Sequence, residues 1–182
     1  MGLGRGYSRQ DCSLAHALEA LGERWTLLVL RDCFYGVRQF KDFQAHLDIP
    51  RAVLADRLKT LTARGALERR EHSNGVHYLL TEQGMELWPA IFSLAQWGER
   101  WLSPHGSRRV FSHADCDTDL EATGHCPTCG AFPGPGELLV REGPGADPTL
   151  RDDRVSAALR RGPHRLLTNP FPEPDYAGTA GV

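Results

Sequence analysis

RQFKDFQAHLDIPRAVLADRLKTLTARGALERREHSNGVHYLLT, residues 38–81, is the stretch whose reading decides the fold. Phe40, Phe43 and Leu47 recur at helical spacing, and Asp48-Ile49-Pro50 breaks the pattern. Leu54, Leu58 and Leu61 then line one face of a second helix, with Pro50 read at its first position. Gly65 is placed to close that helix, since glycine takes the left-handed conformation of a C-terminal cap at little steric cost. Leu67 to His72 and Val76 to Leu80 flank Asn74-Gly75 and predict a β-hairpin. Two short helices running into a tight hairpin make a winged helix-turn-helix, whose second helix enters the major groove of double-stranded DNA.

The charges favour that reading over a small helical domain with an incidental hairpin; a winged helix used only for protein contact is the remaining alternative. With the leucines turned inward, the second helix exposes Arg51, Ala52, Ala55, Asp56 and Lys59, with Arg57 at the edge. Arg38 precedes the pair, and Arg69, Arg70, His72, Asn74 and His77 surround the hairpin tip. Cations there neutralise phosphates, while short alanine side chains let a helix approach base edges. The formal net charge of -2 does not oppose this, because the acidic residues crowd into 115–121, 137–153 and 173–175. No apolar run approaches the roughly 20 residues of a bilayer span, and MGLGRGYSRQDC lacks the apolar core of a signal peptide. A cytoplasmic protein without membrane contact is expected.

Upstream, Cys12 to Glu23 and Trp25 to Phe34 read as two helices packed back to back, parted at Gly22. Downstream, Thr81 with Glu82-Gln83 caps a helix expected to run to about Leu102. Its Leu87, Ile91, Leu94, Ala95, Trp97, Trp101 and Leu102 are more apolar surface than one small domain covers. Either it serves ordinary core packing or it forms a homodimer, whose symmetry an inverted-repeat site would mirror.

The order Cys-x-x-x-x-Ala-Leu-x-x-Leu-Gly-x-Arg-Trp-Thr-Leu-Leu-Val-Leu-Arg-Asp from Cys12 resembles the opening of the HxlR-type transcriptional regulators, within the MarR-like group. Arg38-Gln39-Phe40, Ile49 to Leu61, Gly65, Tyr78-x-Leu80-Thr81, Gly84 and Leu87 to Trp97 continue it, over roughly residues 10–102. The resemblance implies a homodimer that binds an inverted repeat with the helix after Pro50 and the wing. Relatives often carry serine where Pro50 stands. The resemblance also implies a response to an oxidant or small-molecule effector, with Cys12 the redox-sensing candidate. A helix dipole would activate a thiol at that place, while the charge of Asp11 acts the other way; the alternative is a small buried hydrophobe. Cys33, amid Leu30, Phe34 and Tyr35, is expected in the core.

From Arg108 the chain reads RRVFSHADCDTDLEATGHCPTCGAF. His113-x-x-Cys116 and Cys126-x-x-Cys129-Gly130 form two ligand pairs, which suit structural Zn(2+), with His125 and Asp115 near enough to compete with His113. A redox-active or simply reduced Cys-Pro-Thr-Cys turn is the alternative, although no βαβ context accompanies it. No phosphate loop, Gly-x-Ser-x-Gly or His-Glu-x-x-His is present, so no catalytic residues are named; a zinc-dependent hydrolase is the competing class.

The expected architecture is mainly α with a small β-wing (α+β): a winged helix-turn-helix plus a small Cys/His zinc-ribbon-like module and a partly disordered tail. An N-terminal arm covers 1–10, the DNA-binding and dimerisation domain 11–103, the zinc-binding module 104–145 and the tail 146–182. Glu137 to Glu142 is read as an added strand, Val155 to Leu167 as a short basic helix and 168–182 as disordered.

Overall fold

The computed structural model describes residues 6, 7 and 10–171. Helices α1 (Ser13–Leu21) and α2 (Thr26–Phe34) lead into the helix-turn-helix, α3 (Phe40–Leu47) and α4 (Arg51–Ala63). Strands β1 (Leu67–His72) and β2 (Gly75–Leu80) pair antiparallel as the wing, and α5 (Glu82–Met85) and α6 (Trp88–Leu102) follow. The extension is an antiparallel sheet of β3 (Arg109–His113), β4 (Thr118–Asp119), β5 (Leu138–Glu142) and β6 (His164–Arg165), in the order β4-β3-β5-β6. Helix α7 (Arg154–Leu159) lies between the last two strands in sequence.

The inward spacing of the helix-turn-helix is realised by Phe43, Leu54, Leu58 and Leu61, all fully buried or nearly so. Asp48 ends α3 in the left-handed region (φ 52°), which a short side chain with a polar tip tolerates. Pro50 is the N-cap of α4 rather than its first residue, and its carbonyl accepts from Leu54. Gly65 closes the helix at φ 81°, where an L side chain would be strained. At the wing tip His72 pairs with Gly75, so the two-residue loop is Ser73-Asn74. The turn expected at Asn74-Gly75 therefore lies one residue earlier, and Gly75 opens β2 with φ 120°.

Two expectations about the flanking helices are corrected. First, α1 does not pack back to back with α2. It has no buried residue, and Leu14 and Leu18 are exposed. Second, the helix after the wing is interrupted. Thr81 caps the short α5 by accepting from the Gly84 N–H, but Pro89 in the first turn fits only a fresh helix start. The Gly84 backbone sits against the Ala66 carbonyl, where a Cβ would come within 2.1 Å, so only glycine lets α5 approach the wing base.

The extension and the winged helix share one core. Phe111 of β3 stands edge-on to both Trp88 and Phe92 of α6, with ring centroids 5.5 Å apart in each case, and Trp88 meets Phe34 of α2 at 5.0 Å. Leu138, Val140, Val155, Leu159 and Leu166 belong to the same buried cluster. The stretch expected as a tail from residue 146 is thus largely structured, and the boundary drawn at residue 145 cuts through one sheet. The basic helix expected over Val155 to Leu167 stops at Leu159, before Gly162-Pro163, and β6 takes over. Of the segment expected to be disordered, residues 172–182 lie outside the described residues.

Polar ties reinforce the join. The Leu167 N–H donates to the Phe34 carbonyl at 2.7 Å, and His164 Nε2 meets the Tyr35 carbonyl at 2.9 Å. Burial pushes the His164 imidazole below its usual range, consistent with a neutral ring donating to that carbonyl. Arg154 reaches the buried Asp42 at 3.3 Å and stacks on Phe171.

Because the core is shared, Leu159→Ala should cost about 2–5 kcal/mol and lower the midpoint of a single transition in a thermal melt. Two transitions, with only one shifted, would show instead that the extension folds on a core of its own.

Candidate nucleic-acid interface and metal cluster

Helix α4 presents Arg51, Ala52, Ala55, Asp56 and Lys59 to solvent as its leucine spacing predicts. The Arg51 guanidinium rests 5.2 Å above the Phe40 ring, which orients it at the start of the helix. Arg57 is placed differently from the other cations. Its side chain is 17% exposed and is held by Asp56 and by Glu23 at 3.6 Å, so it braces α4 against the segment before α2.

The wing divides its charges between two faces. Successive strand residues point to opposite sides. Arg69 pairs with Glu71 at 2.7 Å on one face, and Arg70 with Glu68 at 2.6 Å on the other. A duplex docked against one face is met directly by only one of these arginines. His72 and Asn74 are exposed at the tip. His77, expected there as well, is instead buried: its ring stacks on His72 with centroids 4.6 Å apart, and its Nε2 lies 3.1 Å from Gln39 Nε2. It positions the wing rather than facing solvent. Arg38 also turns inward, donating to the Leu167 carbonyl at 3.1 Å.

A buried ion cluster that periodicity could not reveal sets the orientation of the helix pair. Asp32 on α2 is fully buried, bound by Arg31 at 2.7 Å and by His46 Nδ1 of α3 at 2.8 Å. A buried carboxylate is tolerated only when so paired. At the end of α3, Arg151 of the extension donates to the Ala45 and His46 carbonyls. Cys33 is buried as expected, and burial raises its thiol pKa well above the usual range. Cys12 is the exposed N-cap residue of α1.

His113, Cys116, Cys126 and Cys129 come together, with one ligand atom from each lying within 4.8 Å of all the others. β3 delivers His113 at its end, and the turn into β4 delivers Cys116. Cys126 and Cys129 bracket a tight knuckle: the Gly130 N–H returns to the Cys126 carbonyl at 2.9 Å, and Gly130 takes φ 67°. Cys116 Sγ lies 3.5 Å from both His113 Nδ1 and Cys126 Sγ. Those separations match the edge of a tetrahedron around zinc, roughly 3.5–3.8 Å for the usual bond lengths. The far ring nitrogen of His113 lies 3.9 Å from the Asp115 carboxylate, which is too long for a hydrogen bond. His125 is drawn away to Glu121 at 3.2 Å, so it does not compete. A hydrogen bond from the Thr118 side chain is the largest factor lowering the Cys116 thiol to about 6, and bonding to Cys116 pushes Cys129 up to about 12. Three thiols this close share protons unless a cation replaces them, which is the chemistry of a structural metal ligand set.

Residues 20–106 match the HxlR-like helix-turn-helix family. The HTH-type transcriptional regulator MT3179 of Mycobacterium tuberculosis (strain CDC 1551 / Oshkosh) is 38% identical over 137 residues, 73% of this chain and 87% of the relative. A second HTH-type transcriptional regulator, YvaP of Bacillus subtilis (strain 168), is 29% identical over 92 residues, 48% of this chain and 85% of its own. Among solved structures, the candidate transcription factor PA1607 superposes with a TM-score of 0.58 at 27% identity, covering 76% of this chain and 89% of that one. An alignment of 137 residues cannot fit before residue 106, so the likeness to MT3179 reaches into the extension. These matches fall on the same winged helix that the buried leucines and the wing build, and the chain belongs to the HxlR-like helix-turn-helix family, whose matched members are transcriptional regulators rather than enzymes.

Proposed function

We propose that this protein is a sequence-specific regulator that binds an inverted repeat as a homodimer, with a structural zinc ion in its extension. The observation that carries the DNA-binding role is the outer face of α4, where Arg51 and Lys59 flank the small Ala52 and Ala55. Arginine and lysine fix the helix on phosphates, and the alanines admit it to the base edges. The wing supplies one further cation from whichever face meets the duplex.

Binding to duplexes carrying the gene's own upstream region should fall steeply with salt. Arg69→Ala and Arg70→Ala should differ in effect, one shallowing the salt slope by roughly one unit and the other by much less. A gel shift that shows no salt-dependent complex at all contradicts the reading.

Support for the dimer comes from apolar surface left outside the core. On α6, Trp88, Ile91 and Phe92 face inward, whereas Leu94, Trp97, Trp101 and Leu102 are more than half exposed. Leu14 and Leu18 of α1 add to that surface. A soluble monomer rarely leaves so many large apolar groups in water, and a two-fold partner covers them twice with one interface. Sedimentation should give a dimer at micromolar concentration, and Trp97→Glu should dissociate it; a monomeric wild type would remove both the dimer and the inverted repeat.

Zinc is the metal that three thiolates and one imidazole select, and four protein ligands leave it no open position, so its role is to hold the fold. Protein purified without chelators should carry one zinc per chain by elemental analysis. Cys126→Ser and Cys129→Ser should each release it and lower the melting temperature. Metal-free protein with the wild-type melting temperature would reject the site.

A further inference from the structure

Three cations, one of them from the extension, stand around the first turn of α3. Arg51, the first residue of α4, lies over the ring of Phe40, the first residue of α3. Lys41 follows Phe40 and is exposed. Asp42 comes next, turned inward and buried, and Arg154 at the start of α7 reaches it at 3.3 Å. Successive helical residues stand about 100° apart, so Lys41 lies between the Arg51 and Arg154 positions as the helix turns. In a helix-turn-helix the second helix enters the groove by its N-terminal residues, and the first helix crosses the phosphate backbone. The three cations therefore stand where the backbone passes.

Arg154 is presented to solvent rather than sealed in a buried ion pair. Its side chain is 50% exposed, although that of its partner Asp42 is 4% exposed. Nε faces the Asp42 carboxylate, and the guanidinium carbon lies 3.6 Å above the Phe171 ring. The opposite edge of the guanidinium carries the two terminal nitrogens, whose paired donors fit a phosphate. Burial raises the Asp42 carboxyl, and the charges of Arg154 and Lys41 act against that rise, so both cations lie close to it.

Phe171 is a fixed support for this arginine. Its N–H donates to Asn169 Oδ1 at 3.0 Å. The residues before it are tied to the winged helix through Arg38 and the Leu167 carbonyl, and through Gly36, where a Cβ would come within 1.6 Å of the Thr168 carbonyl oxygen. The chain from the last strand of the extension is thus strapped across the loop that leads into α3.

We infer that the extension is part of the DNA interface, with Arg154 binding a backbone phosphate beside the one held by Lys41 and prolonging the track that Arg51 begins. This rests on the regulator reading above. The buried Asp42 orients the guanidinium from beneath, and the duplex meets the cation rather than the carboxylate. Phosphate contacts carry no sequence information, so the extension adds affinity and register while α4 keeps the choice of bases.

The test uses full-length protein and a duplex carrying the gene's own upstream region, with binding measured across salt concentrations and by phosphate ethylation interference. Lys41→Ala and Arg154→Gln should each shallow the salt slope by roughly one unit per lost phosphate contact. Ethylation of one phosphate that harms the wild-type complex should be harmless to Arg154→Gln. Because that variant leaves Asp42 without its cation, Asp42→Asn combined with Arg154→Gln removes the pair together and should lose the same phosphate. Arg154→Lys, which keeps the charge, should keep the slope. Arg161→Ala removes an equal charge from an exposed position just past the other end of α7 and should change neither reading. Arg154→Gln with the wild-type slope and interference pattern, or Arg161→Ala with a slope as shallow as Arg154→Gln, would overturn the proposal. Failure of the regulator reading looks different, because the wild type itself would then give no salt-dependent complex.

Discussion

The Phe111 ring, set edge-on against Trp88 and Phe92, is the contact on which the rest of the architecture depends. Trp88 also meets Phe34, so aromatic contacts run from α2 through α6 into β3. Each such side chain stabilises the fold by about 1.5–3 kcal/mol on burial, and edge-to-face geometry adds to that. Only Phe111 of the four comes from outside the winged helix, and β3 also carries His113 to the metal cluster. Loss of the knuckle would therefore be felt in the core under α2 and α6.

Polar contacts then decide how the helix-turn-helix is held. Asp32, Arg31 and His46 fix α2 to α3, while Arg151 and Arg154 fasten the extension to the end and the flank of α3. Helix α4 is left comparatively free on its outer side, and among the described residues Arg57 is the one of its cations braced by carboxylates. Rigid support behind a helix with an open outer face is what reading a groove requires, because misplacement by a fraction of an ångström loses a bidentate contact to a base.

The winged helix was legible because its signals are local. Leucines at helical spacing, a left-handed glycine at Gly65 and a hairpin around Ser73 to Gly75 each follow from a few neighbouring residues. The ligand pairs were legible for the same reason, and the structure assembles all four named groups. What stayed hidden depends on contacts far apart in sequence. The burial of His77 is set by Gln39, the inward turn of Arg38 by Leu167, and the order of residues 146–171 by a core laid down more than 50 residues earlier. Composition rich in glycine, proline and charge reads as disorder, yet Val155, Leu159 and Leu166 supply enough apolar surface once Phe34 and Leu138 offer it a place. The split between α5 and α6 was missed because the apolar stripe runs through it unbroken, although Pro89 marked the restart.

Hydrogen exchange on the full-length protein, free and bound to a duplex selected from random sequence, tests the central claim most directly. The account predicts that DNA slows exchange of amides in residues 51–63 of α4 and 69–77 of the wing, while the strands of the extension exchange as they do in the free protein. Protection confined to the extension, with α4 and the wing unchanged, would contradict it.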